Sequence, residues 1–229
     1  MKTTSLFSFV LALLLMSIST TTQAQSEISV DPFDGISVVG NIDVTLEEGT
    51  PGKITLYTEG IDEDDISIRV TRGTLRLRVL NSWLYKNEII RVYVPYETIR
   101  TIRADAGATV ECENTLQTEQ MEINIGSGAS ARLTLKVESL KGSASEGGRL
   151  VLRGETITQD VSAGTGGEFL AFDLECQRTY VRAGTGGIAE VVAHELLEAA
   201  ANTGGQVTYK GDPEDKKIKT FIAGDVDRY

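Results

Sequence analysis

The stretch "VSAGTGGEFLAFDLECQRTYVRAGTGGIAEVV", residues 161–192, writes Ala-Gly-Thr-Gly-Gly twice, twenty residues apart. The glycine that follows each threonine has counterparts along the chain: Gly107, Gly128, Gly147, Gly166, Gly186 and Gly204, with spacings of 21, 19, 19, 20 and 18. Self-similarity at such a period marks stacked structural repeats. Three residues before this anchor stand Ala104, Ile125, Ala144, Ala163, Ala183 and Ala201; five before stand Ile102, Ile123, Gly142, Val161, Val181 and Ala199. Three after come Val110, Ala131, Leu150, Phe169, Ala189 and Val207; five after come Cys112, Leu133, Leu152, Ala171, Val191 and Tyr209. Columns two apart share one face of a strand. Each repeat is therefore two short strands meeting at a Gly-rich corner. A strand pair this short cannot bury its apolar face alone, whereas copies stacked about 4.8 Å apart build a continuous core. The pattern predicts an all-β chain, a parallel β-helix of about six rungs of 18–21 residues, taken as right-handed.

The corner glycines serve the backbone. Two before each anchor lie Asp105, Gly126, Ser145, Gly164, Gly184 and Asn202, which tolerate tight turns. The next residue after the anchor is always Ala or Gly. A phosphate loop would lead into a helix N-terminus and would not recur six times.

Ahead of the repeats the alternation is strong: Ile42-x-Val44-x-Leu46, Ile54-x-Leu56, Ile66-x-Ile68-x-Val70, Leu75-x-Leu77-x-Val79 and Ile90-x-Val92-x-Val94. Turn signals at Glu48-Gly49, Pro51-Gly52 and Arg72-Gly73 separate these runs, which read as strands forming first rungs or a cap, some of them antiparallel. One segment opposes the pattern, "EVVAHELLEAAA" at 190–201, whose composition favours helix. The inward columns continue through it, so it is assigned to strand.

Lys2, an apolar run over 6–18 and the small residues Thr22 and Ala24 read as a secretory signal peptide cleaved after Ala24. The run is shorter than the roughly 20 apolar residues of a membrane span. The organisation is then a leader at 1–24, a β-strand region at 25–97 and the repeat region at 98–229, the last two forming one continuous domain. Beyond the leader, 21 Lys and Arg (22 less Lys2) face 33 Asp and Glu, a balance of −12 that disfavours nucleic acid. Cys112 falls in an inward column and Cys176 roughly three rungs away, near 14 Å at about 4.8 Å per rung. That exceeds the roughly 7 Å limit between Cα atoms of a disulfide, so two free thiols are expected.

The stretches "FDGISVVGNIDVTLEEGTPGKITLYTEG" (33–60), "GTLRLRV" (73–79) and "IRVYVPYETIRTIRADAGATVE" (90–111) resemble the head GIN domain family of putative auto-transporter adhesins. The resemblance covers nearly all of the chain after the leader. It implies a β-helical protein exported by a Gram-negative bacterium to the periplasm, the outer surface or the medium. It carries no catalytic motif onto any residue here.

The chemistry-bearing clusters are sparse. His194-Glu195 begins like a zinc-protease helix, but Glu198 stands where the second His belongs and the chain has no other His. No nucleophile phrase such as G-x-S-x-G is present, and no cofactor or metal motif is assigned. The acidic run Asp62-Glu63-Asp64-Asp65 lacks the spacing of a calcium loop and reads as a solvated turn. The outward columns are more informative. Asn124, Ser143, Ser162, Tyr180 and Arg182 form a polar ladder suited to a glycan or to a protein of the envelope or a host surface. Val151, Leu170, Phe172, Ile188 and Val192 are apolar at outward positions among Arg132, Arg149, Glu168 and Glu190, and such a cluster needs a cover. The chain's own N-terminal strands are the favoured cover; a second copy or a partner is the alternative. Together these features point to a non-enzymatic binding or adhesion protein. The rivals are a β-helical polysaccharide lyase or glycoside hydrolase, which needs two carboxyls across one bond, and a structural component of the envelope.

Overall fold

The computed structural model describes residues 24–81, 84 and 87–229. The leader call lies, apart from Ala24, outside the described residues. Among the described residues seventeen strands follow one another, with a 3-10 turn at Glu63–Asp65 and no α-helix. The first seven are β1 (Ala24–Ser29), β2 (Gly35–Val39), β3 (Asp43–Glu48), β4 (Lys53–Glu59), β5 (Ile66–Thr71), β6 (Thr74–Val79) and β7 (Ile89–Tyr96). The repeats supply β8 (Thr101–Asp105), β9 (Thr109–Ile125), β10 (Ser130–Ser145), β11 (Arg149–Gly164) and β12 (Glu168–Gly184). Then come β13 (Ile188–Val192), β14 (Leu196–Asn202), β15 (Gln206–Lys210), β16 (Asp215–Phe221) and β17 (Asp225–Arg228). The helix-like segment 190–201 is strand at both ends, because its partners β12 and β15 present ladders that its alternating apolar residues fit.

The chain winds into a β-solenoid with a single core. All 24 positions of the four inward columns are buried. Gly142 belongs to this set for a steric reason: a Cβ there would stand 2.8 Å from Cε2 of Phe169, the bulkiest fully buried side chain.

Each Gly corner is a four-residue turn with two successive left-handed residues, as a type I′ turn requires. At 164–167 these are Thr165 (φ 48°) and Gly166 (φ 70°), closed by Gly167 N donating to Gly164 O at 2.9 Å. The left-handed pair is thus the anchor and the residue just before it, one place later than the sequence reading put the tolerant residue. Turns also bond to each other along the stack, Gly147 N to Thr165 O at 3.2 Å and Gly166 N to Thr185 O at 3.1 Å. Where the residue after the anchor is glycine no side chain fits: a Cβ on Gly148 would lie 2.5 Å from the carbonyl oxygen of Ile125 one rung away. A seventh corner, Ile222-Ala223, repeats the geometry without glycine at the anchor (φ 40° and 57°), so the glycine count missed it.

Rung length varies through local bulges. Ser130–Arg132 pair with Thr109–Glu111, but Thr134 pairs with Thr115, so β9 holds two extra residues there. Likewise Val151 pairs with Leu170 but Arg153 with Asp173, one extra residue in β12. Halfway along each long strand the inward parity also slips, from Val137 to Leu140, Thr156 to Gln159 and Cys176 to Thr179. These slips form the second bend of every rung.

The N-terminal strands are both first rungs and cap. β2 lies between β6 and β8, and β3 between β7 and β9, all parallel. The β2–β3 rung is therefore inserted between β6–β7 and β8–β9, out of chain order. Beyond it β4 pairs antiparallel with β7, β1 with β4, and β5 with β6, which closes that end. The acidic run shapes the approach to β5: Asp62 accepts from Asp64 N at 3.2 Å, and Asp65 accepts from Asn81 Nδ2 at 3.0 Å.

Both cysteines are free and buried. Burial pushes both thiols up from their ordinary pKa. Cys112 contacts the Tyr96 hydroxyl at 3.4 Å, and Cys176 donates to Arg178 O at 3.2 Å.

Candidate functional site

Parallel, in-register stacking converts a sequence column into a physical ladder, and the polar column does this on the strand half that precedes each Gly corner. Asn124 pairs with Ser143, Ser143 with Ser162, and Ser162 with Arg182; Tyr180 lies beside Asp160. All five named residues therefore share one face across four consecutive rungs. A hydrogen-bond chain orders its start. Arg103 donates to Glu122 Oε1 at 3.0 Å, Asn124 Nδ2 to the same oxygen at 2.8 Å, and the Ser143 hydroxyl to Asn124 Oδ1 at 2.7 Å. The Asn124 amide and then the Arg103 guanidinium hold the Glu122 carboxyl below its usual range. Farther along, Arg182 donates to Asp160 at 3.1 Å. The face is polar, internally paired and half-exposed, with small Ser143 and Ser162 at its centre.

The other outward face carries the apolar cluster among ion pairs. Arg132 meets Glu111 at 2.9 Å, Arg149 meets Glu168, and Arg153 meets Asp173 at 3.6 Å. Val151, Leu170 and Phe172 are half-buried and Ile188 is 37% exposed. Val192 is buried, at 3% exposure, while standing outside the core cluster that takes in its neighbours Val191 and Ala193. The rung through β13 and β14 is the shortest, so the chain cuts across the second bend and turns the Val192 carbonyl into the core. Thr179 Oγ1 donates to that carbonyl at 2.6 Å and Gln159 Nε2 at 3.3 Å. Gln159 and Thr179 are fully buried for this purpose, and Gln159 Nε2 also reaches Thr179 Oγ1 at 2.9 Å.

The favoured cover is corrected as well. Strands β1–β7 stack on the β8–β9 end and do not lie over Phe172, because their unpaired edges are satisfied by continuing the ladder. Phe172 instead meets residues from later in the chain. The Tyr229 ring is 5.2 Å away, and Lys210 Nζ sits 4.4 Å above the Phe172 ring.

A third feature was not read from the sequence. The second bends line an open groove of about 660 Å³, bordered by Gln117, Lys136, Glu155, Glu175 and Ile157. Columns counted from the Gly corner lose register at the bulges, which hides this alignment. Glu155 and Glu175 are stacked neighbours on adjacent rungs; a glycoside hydrolase needs two carboxyls flanking one bond. Each is already engaged, Glu155 by Lys136 at 2.9 Å and Glu175 by His194 at 2.6 Å. Among the described residues no group of three or more His, Cys, Asp or Glu is placed to hold a metal ion. No described helix is long and apolar enough to cross a membrane.

Comparison with known proteins places this geometry. The sequence profile of the head GIN domain, described as a putative auto-transporter adhesin, matches residues 32–213. Among solved structures, a putative adhesin from Bacteroides fragilis is 21% identical with a TM-score of 0.79, covering 92% of this chain and 98% of that one. A putative adhesin from Parabacteroides distasonis is 18% identical with a TM-score of 0.70 over 92% and 98%. A putative lipid binding protein from the same species is 18% identical with a TM-score of 0.67 over 90% and 96%. At these identities the likeness is one of fold. None of the curated proteins matches the chain.

Proposed function

The chain belongs to the head GIN domain family of putative auto-transporter adhesins, and from that premise we propose an exported, non-enzymatic binding protein whose polar ladder takes an extended glycan. The observation that carries this reading is the in-register row Asn124–Ser143–Ser162–Arg182 with Tyr180 at its side. Rungs repeat about every 4.8 Å, so amide, hydroxyl and guanidinium groups recur at an interval that successive units of a linear polymer can meet. A preformed, hydrogen-bonded row loses little side-chain freedom on binding. Export to the periplasm, the outer surface or the medium is consistent with the leader-like start and the acidic charge.

The test is a glycan array run beside incubation on mixed polysaccharides, with wild type and a Ser143→Arg/Ser162→Arg variant. Binding that the variant loses, without release of products, supports the proposal. Product release would instead favour a hydrolase or lyase acting in the Glu155–Glu175 groove. No binding at all would leave a structural role in the envelope. Cell fractionation with an antibody against the protein tests the location.

A further inference from the structure

The two ends of the solenoid are finished differently. Antiparallel β1, β4 and β5 close the first. At the other, β16 and β17 pair with β14 and β15 on one side, and no described strand lies on the far side. Every residue of β16 is exposed. Ile218 and Val226 occupy the inward register, opposite Ala199 and Val207 of the previous rung, yet Ile218 is 44% exposed and Val226 is half-buried. Phe221 and Ile222 at the last corner are 62% and 80% exposed. Lys216 and Arg228, also inward, converge on Asp212 at 3.7 and 3.2 Å. The rung thus presents free backbone groups, a small apolar centre and a charged border.

The outward charges of this rung differ between its strands. β16 carries Lys217 and Lys219, with Asp215 at its start, and Lys217 also reaches Glu198 of the previous rung at 3.3 Å; β17 carries only the acids Asp225 and Asp227. Lysines on a free edge normally discourage pairing. Here the companion strand holds the opposite sign, and we infer that the β16–β17 rung is a docking surface for the same rung of a second copy, related by a two-fold axis running along the strands.

That operator swaps the two faces of the solenoid. It lays β16 of each copy antiparallel against β17 of the other and continues the hydrogen-bonded ladder across the junction. Lys217 and Lys219 then face the partner copy's aspartates, and Ile218 meets the apolar side chain of the opposing strand. The other end-to-end arrangements set the acids of β17 against like charges. A two-fold axis perpendicular to the faces brings β16 against β16 and β17 against β17. Head-to-tail stacking brings β16 against β5, which carries Arg69, and β17 against β1, which carries Glu27. Like charges directly opposite in a sheet are unfavourable. Only the first operator relieves the crowding of Asp225 and Asp227, whose mutual repulsion already raises the Asp227 carboxyl above its ordinary range.

Sedimentation equilibrium on the purified protein tests this. Wild type is expected to dimerise at low salt, with weaker association at high salt. Lys217→Glu/Lys219→Glu and Asp225→Lys/Asp227→Lys should each raise the dissociation constant at least tenfold. Mixing the two variants should restore a heterodimer, since every facing pair is then of opposite sign. All four side chains are exposed, and the one pair lost, Lys217–Glu198 at 3.3 Å, is a surface ion pair worth at most a little stability, so melting temperature and far-UV circular dichroism should stay close to wild-type values. A wild type that remains monomeric at low salt, one that forms open filaments, or two variants that fail to associate when mixed would each overturn the inference.

Discussion

Gly142→Ala is the smallest change that tests the packing of the core. Gly142 is the one position in four inward columns without a side chain, and Phe169 fills the space it leaves. A Cβ would stand 2.8 Å from Phe169 Cε2 and 3.3 Å from Val161 Cγ1, closer than ordinary van der Waals contact. Phe169 is 0% exposed, so its ring has no solvent to swing into. Overpacking of this kind costs about 1–3 kcal/mol. Alanine returns about 0.4–1 kcal/mol by restricting the unfolded chain. The net expectation is a loss of about 0.5–2 kcal/mol, read from the urea midpoint at unchanged slope. Phe169→Leu alone should lose roughly 1–2 kcal/mol, short of the roughly 3–5 typical of Phe→Ala. In the double variant the new methyl occupies space the ring has vacated, so the two losses should fall short of additivity by about 1 kcal/mol. Two losses that add to within about 0.5 kcal/mol would mean that the residues do not touch, and the register across the core would be wrong.

Three further expectations follow from the same geometry. Thr185 is a β-branched residue at φ 50°; Thr185→Asn should raise the melting temperature by about 1–4 °C, since left-handed backbone costs most residues about 1–2 kcal/mol and Asn less, and a fall would contradict the corner geometry. Both thiols should resist labelling in the native protein and give two equivalents after unfolding without reductant, because both are buried and burial raises both; no label at all would mean a disulfide. Burial first, and then the Glu146 carboxylate two rungs on, raise the Asp105 carboxyl. Its folded pKa lies above its unfolded one, so it weakens the fold at neutral pH and ceases to do so once pH falls below the unfolded value. Asp105→Asn should therefore stabilise at pH 7 by less than about 1 kcal/mol after solvent screening. Denaturant melts at pH 7 and pH 3 check it, and an advantage that persists at pH 3 would assign the gain to another cause.

The repeat carried most of the fold in its sequence. Alternation at period two, anchored on glycines such as Gly166 and Gly186, assigned the inward residues of six rungs. It also overruled helix propensity in 190–201, because burial of a whole column outweighs the small preferences of single residues. The row from Asn124 to Arg182 was legible for the same reason: in a parallel stack, equal distance from a corner means lateral neighbours. Sequence distance gives no such information where the stack departs from chain order or from constant rung length. The β2–β3 rung lies between two later rungs, β6–β7 and β8–β9, a placement no local spacing encodes. Bulges in β9 and β12 shift the count, so the row bordering the second-bend groove becomes a row only in space. The chain's shortcut at Val192 brought Gln159 and Thr179 to its carbonyl, 33 and 13 residues away in sequence. Periodicity is a local property that each rung repeats. Which edge a strand finds, and which carbonyl must be satisfied when a rung is short, depend on contacts among residues far apart in the chain, and only the folded structure decides them.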